Sequence, residues 1–292
     1  MKKSPIFHAA NFAINVLLIS SLLLTLFGAA WEYSTRQYLE GFSNAVIPYA
    51  SSPEKKVTAI IAWMEHGPAR QIEDPETDAE DRDPVDTLNY QELLRVCGTA
   101  TNAFVNLASS GGIETRRLLL LDAQGLSTNH VVAEVRMEGR WVIVDPSFHA
   151  LLRNRYGRLL TRQELAQPSV LRDATRNLSG YDPGYNYEHT TLVHLSRVPL
   201  IGRFLPGILN SIFPGWEETI NWTELIERQS YTTLFIGIAL LFLGLCLQWM
   251  IARYGRKLGM IPTGPWEQLR QGSAALFVVT SFRKSAKQSP TV

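Results

Sequence analysis

His130-Val131-Val132-Ala133-Glu134-Val135-Arg136-Met137-Glu138-Gly139-Arg140-Trp141-Val142-Ile143-Val144-Asp145 is the stretch on which the fold turns. Two largely apolar, β-branched runs flank Glu138-Gly139, a hairpin signal with a two-residue turn. With that turn, Met137 pairs with Arg140, and every pair of residue numbers sums to 277. Asp145 then lies opposite Val132, and His130 is two residues along the same face. Diagonal neighbours in a ladder are about 7–8 Å apart, within reach of longer side chains. A turn of odd length with no compensating bulge would put His130 and Asp145 on opposite faces.

Upstream, Ala100, Ala103, Phe104, Leu107 and Ala108 form one apolar stripe at helical spacing, ended by Gly111-Gly112. The helix therefore starts near Cys97, where free N–H groups and the positive dipole end favour a thiolate. Ile113 to Leu121 reads as a buried strand, followed by a loop around Gly125. Residues 54–66 read as an amphipathic helix with Val57, Ile60, Ile61 and Met64 inward, stopped by Gly67-Pro68. The expected fold class is α+β, a helix bearing Cys97 packed on an antiparallel sheet. Between the two helices, Glu73 to Asp86 holds eight acidic residues against Arg82. This reads as a solvated loop, because it lacks the Asp/Gly spacing of an EF-hand calcium loop.

The chain has 292 residues, 46% hydrophobic and 19% charged, with a formal net charge of +1. That excludes a disordered chain, a collagen-like repeat and a disulfide-stapled miniprotein. It also argues against a nucleic-acid partner, which calls for a basic domain. The charge is unevenly laid out. Phe12 to Trp31 (20 residues) and Tyr231 to Ala252 (22 residues) carry no charge. Each matches the roughly 20 apolar residues that cross a bilayer. Trp31, Tyr33, Tyr231 and Trp249 suit the interfacial aromatic belt. The first run is too long for the usual ~7–15-residue apolar stretch of a cleaved signal peptide. Residues 1–31 and 231–292 hold nine Lys/Arg and one acidic residue, net +8; residues 32–230 hold 19 and 26, net −7. Lys2 and Lys3 precede the first run, and Arg253, Arg256 and Lys257 follow the second, so both termini are expected in the cytoplasm. The expected organisation is a cytoplasmic N-terminus (1–11), a first span (12–31), an extracytoplasmic domain (32–197), a membrane-proximal amphipathic segment (198–230), a second span (231–252) and a cytoplasmic tail (253–292). Cys246 lies in a span, which leaves Cys97 an unpaired thiol in a compartment where structural cysteines are paired.

A helix-initial cysteine with a histidine and an aspartate on adjacent strands has a clear chemical use. The thiolate is a nucleophile, the imidazole moves its proton, and the carboxylate holds the ring tautomer. The sequence here resembles the transglutaminase-like superfamily within the papain-like cysteine enzymes. The resemblance rests on Val96-Cys97-Gly98 opening a helix, on Asn129-His130 through Glu134-Val135, and on Arg140-Trp141-Val142-Ile143-Val144-Asp145-Pro146-Ser147. It implies Cys97 as nucleophile, His130 as base and Asp145 as orienting acid, with Glu134, Trp141 and Pro146 in structural places. The chain departs from the family pattern at Val132, where an aromatic is usual, at Asn129, usually Gly, and at Gly98, usually Arg. Gln91, six residues before Cys97, stands where a papain-type enzyme carries an oxyanion donor. A metal held by Cys97, His130 and Asp145 lacks a fourth ligand at finger-like spacing, so neither metal nor cofactor is expected.

The expected function is acyl transfer or hydrolysis at an amide through a Cys97 thioester. The alternative is a catalytically idle binding module in envelope or polysaccharide assembly. The expected address is a bacterial inner membrane, crossed twice, with the domain in the periplasm. The expected partners are a protein or peptide substrate, cell-envelope components included, and membrane lipid through the segment around Phe204, Ile208 and Ile212. Arg153, Arg155, Arg158 and Arg162 read as a solvated face, or alternatively as a contact for an acidic glycan or headgroup. His66, His149, His189 and His194 read as surface or core residues. Tyr181 to Tyr187 reads as a loop.

Overall fold

The computed structural model describes residues 5–67, 83–89, 94, 96–195, 204–219, 222, 225, 228–257 and 259. Gln91, most of the acidic stretch and the C-terminal tail lie outside these residues. The chain divides into two units, one of residues 1–31 with 232–292 and one of residues 32–231.

The first unit holds apolar helix. Helix α1 runs Pro5–Val46, and the last described helix, here α9, runs Gln229–Lys257. Both are long and apolar enough to span a membrane, and only 22% and 11% of their most apolar windows are buried inside the protein. Core helices of a soluble protein would be mostly buried, so the low burial of these two supports membrane anchoring. They touch through small residues. A Cβ on Gly28 would fall 2.7 Å from the Leu234 backbone nitrogen, and one on Gly237 would fall 2.8 Å from that of Thr25. Glycine at these positions lets the two backbones approach, as in helix pairs within lipid.

The second unit is α+β. Before its sheet come α2 (Pro53–His66), α3 (Pro84–Asn89) and α4 (Cys97–Ser110). The sheet strands are β1 (Thr115–Leu121), β2 (Thr128–Met137), β3 (Arg140–Asp145), β4 (Ala150–Leu151) and β5 (Thr190–Thr191), antiparallel in the order β4-β3-β2-β1-β5. Short helices α5 (Arg162–Leu165) and α6 (Pro168–Thr175) lie between β4 and β5, and α7 (Leu205–Ile212) and α8 (Trp216–Thr219) follow β5. In the β2–β3 hairpin, Met137 pairs with Arg140 and Ala133 with Val144. Glu138 (φ 51) and Gly139 (φ 76) are both left-handed, the backbone of a two-residue primed turn.

One face of the sheet packs on α4. Ala133, Val135, Val142 and Val144 meet Ala100, Ala103, Phe104 and Leu107, and α2 adds Val57, Ile60, Ile61 and Met64. Helix α1 continues past Trp31, where charges begin, because Leu39 belongs to the same core, with Phe42 and Val46 packed against it. The Phe42 ring stands edge-on to Trp63 at 4.8 Å, and Ser43 donates to the Leu107 carbonyl. The other face holds Leu118, Leu120, Val132 and Ile143 against Leu165, Leu171 and Tyr187.

The stretch expected to be membrane-proximal divides into two parts. Helix α8 docks on the domain. Trp216 is buried, Glu217 accepts from Thr191, and Glu218 pairs with Arg116 and Arg162. Helix α7 instead leaves Phe204, Ile208 and Ile212 exposed (68%, 54% and 77%). Arginines 153, 158 and 162 pair with Glu54, Glu164 and Glu218.

Candidate active site

Cys97 is the first residue of α4. Its N-cap is Val96, which has no side chain able to cap, and the first helical bond comes only from the Ala100 N–H. The N–H groups of the opening turn are therefore not used within the helix. The thiol packs against Leu119, Leu121 and Val131 and is half-buried. One turn along, Thr101 donates to the Val131 carbonyl at 3.0 Å. That bond ties the cysteine helix to the strand carrying the histidine.

His130 lies on β2 opposite Leu120, where the β1–β2 register shifts between Leu120 and Leu121. A bulge at such a place re-aims the neighbouring side chain. His130 Nε2 and Asp145 Oδ2 are 2.7 Å apart, with both side chains almost fully buried (1% and 0% exposed). Asp145 Oδ1 accepts from the Ser147 hydroxyl at 2.8 Å and from the Phe148 N–H. The acid is thus held from two sides, and the ring can turn only its other nitrogen to the thiol. That atom, Nδ1, is buried and meets no oxygen or nitrogen; its interaction is with the Cys97 thiol. Such loose apo geometry is ordinary in a site that aligns fully only with substrate present.

The electrostatics favour an ion pair. Burial raises the Cys97 pKa, but the His130 side chain and the N–H groups of Val131 and Gly98 outweigh it, and the pKa lies below the usual thiol value. Burial lowers that of His130, but Asp145 and Cys97 outweigh it and lift the imidazole to about 9. Both shifts favour the thiolate–imidazolium pair over the neutral one.

Aromatic rings close over the imidazole. Tyr185 stacks on it at 4.2 Å and 7°, while Phe148 and Tyr181 stand edge-on at 5.9 and 6.2 Å. Burial raises the Tyr185 pKa first, and the Cys97 charge raises it next. Sequence reading left residues 181–187 as a loop. Three tyrosines within seven residues were the available signal, and nothing in their spacing points to a particular ring.

The other motif residues form a separate cluster. Glu134, fully buried, binds Arg116 at 2.7 Å, and the Arg116 guanidinium lies over Trp141 at 4.1 Å. This fastens β1, β2 and β3 together behind the site. Near Gly98, where the family pattern has arginine, the guanidinium of Arg117 on β1 comes within 3.8 Å of the place a Cβ would occupy.

The model of the transglutaminase-like superfamily matches residues 40–146, a span that contains Cys97, His130 and Asp145. The chain carries a transglutaminase-like domain. Comparison with curated proteins and with solved structures returns no match. The matched span ends at Pro146, so Ser147, Phe148 and the tyrosine loop lie beyond it. The rings that cover the histidine therefore come from residues outside the matched span.

Proposed function

We propose that the protein is a membrane-anchored cysteine enzyme that breaks an amide and passes the acyl group to water or an amine. The observation that carries this is the buried His130–Asp145 pair, whose one open nitrogen adjoins a thiol of lowered pKa at an uncapped helix start. Cys97 sulfur attacks the carbonyl carbon, forming a C–S bond while the C=O electrons move to oxygen. The N–H groups of the first turn of α4 are placed to hold that oxyanion. His130 gives its Nδ1 proton to the amide nitrogen as the C–N bond breaks, leaving a thioester and a free amine. Water or a second amine then attacks, its proton passes to His130, and the C–S bond breaks to restore the thiolate. Asp145 keeps the ring oriented and stabilises its charge throughout.

The test is to expose the full-length protein to cell-envelope extract and quench it with acid. The peptide containing Cys97 should carry an added acyl mass that hydroxylamine removes, and His130→Ala should carry none. Unmodified wild-type peptide at every time point contradicts the proposal and leaves a binding module.

We also infer that the domain faces the extracytoplasmic side of an inner membrane, because Lys2, Lys3, Arg253, Arg256 and Lys257 flank the two spans on one side. Helix α7, with Phe204, Ile208 and Ile212 outward, rests on that membrane surface. A membrane-impermeant maleimide should label Cys97 in cells whose outer envelope alone is permeabilised. Labelling only after the inner membrane is lysed contradicts this orientation.

A further inference from the structure

Beside the imidazole, on the far side of its tyrosine cover, lies a cavity of about 610 Å³. That size falls within the roughly 300–1,000 Å³ of small-molecule sites. Leu165, Ala166, Leu171 and Leu178 give it apolar walls, and Tyr181 and Tyr185 form the side towards the site. These two are the same rings that contact His130. Its rim carries two cations, Arg172 and Arg176, and two anions, Asp182 and Glu188. Two charges of each sign give no net preference, so the apolar walls decide what the cavity accepts.

Its position relative to the chemistry is also decided. No residue of α4 lines it, and its contact with the site is through the rings around the imidazole. The imidazole is the group that must protonate the departing amine. A substrate lying across the thiol and then the imidazole extends its nitrogen-side half towards this cavity.

We propose that this cavity binds an uncharged, apolar group, aliphatic or aromatic, attached to the nitrogen side of the amide that Cys97 attacks. The claim rests on the acyl-transfer reading above and narrows its substrate class. Amides bearing a bulky apolar amine-side group are favoured over those bearing a small or carboxylate-bearing one. Tyr185, between cavity and imidazole, is the wall such a group passes.

The test uses the full-length protein in detergent and three alkylating probes: iodoacetamide, its N-hexyl derivative and iodoacetate. The readout is the ratio of N-hexyl to unsubstituted alkylation rate at Cys97, divided by the same ratio for a free thiol in the same micelles. Dividing in this way cancels both partition into detergent and any general change in thiol reactivity. The expected wild-type ratio is tenfold or more, saturating with N-hexyl concentration, and iodoacetate shows no advantage. Ala166→Trp, just after α5, and Thr175→Trp, at the end of α6, fill the cavity from two places, so misfolding of one still leaves the other. Each should bring the ratio close to one. A wild-type ratio near one, or a high ratio that survives both substitutions, overturns the proposal. Slow wild-type alkylation by iodoacetamide itself contradicts the thiolate reading, and the cavity claim falls with it.

Discussion

Two buried charged clusters lie against helix α4, and they differ in one respect. Around Glu32, both carboxylate oxygens are in use. Oε1 accepts from Arg36 and Arg228, and Oε2 accepts from Ser230. Arg228 also donates to Asn106 on α4, which in turn donates to Asn102. Around His130, Asp145 is equally well held, yet Nδ1 meets no oxygen or nitrogen and interacts only with the Cys97 thiol. A buried ion pair with every valence used positions the backbone. A buried pair with one valence open beside a nucleophile is arranged to move a proton. Burial and charge are alike in the two clusters, so the adjoining nucleophile is what separates structure from chemistry.

The comparison can be broken by substitution. Cys97→Ser should cost acyl transfer about 10⁴-fold or more, whereas unfolding by urea should shift far less, because the Glu32–Arg228 and His130–Asp145 pairs both remain. Asp145→Ala should cost about 10²–10⁴-fold in rate and lower the His130 pKa from about 9, a shift followed by the imidazole resonance in NMR titration. Glu32→Gln should act the other way. It leaves Arg228 without its buried counter-charge and should cost about 3–5 kcal/mol of stability in denaturant, with the pH midpoint of Cys97 alkylation unmoved. A moved midpoint would show that the two clusters are coupled through α4. Ser147→Ala removes one of the donors to Asp145 and should cost about 1 kcal/mol, seen as a rate loss of tenfold or less.

The hairpin was legible because a period of two and a two-residue turn leave one register, and that register alone brings His130 to Asp145. Cys97 was legible as a helix start from the stripe at Ala100, Phe104 and Leu107. Tyr185 was not, because a loop of Tyr, Pro, Gly and Asp has no periodicity to fix where a ring points. The extension of α1 to Val46 was hidden for a different reason. Charged residues from Glu32 onward mark the end of the apolar span but not of the helix, and only the packing of Leu39 and Phe42 against α2 and α4 shows that it continues. The Glu32–Arg228 pair joins residues 196 apart in sequence, a separation that no local pattern reports.

The most direct measurement is the pH dependence of Cys97 alkylation in the full-length protein, set beside that of acyl transfer. With the thiol pKa lowered by His130, the alkylation midpoint should lie below the ordinary thiol value. Acyl transfer should share that rise and then fall as pH passes about 9, where the imidazolium loses the proton that the leaving amine needs. His130→Ala should move the alkylation midpoint up towards the ordinary thiol value of about 8.5. A wild-type midpoint already at that value, unchanged by His130→Ala, would contradict the account.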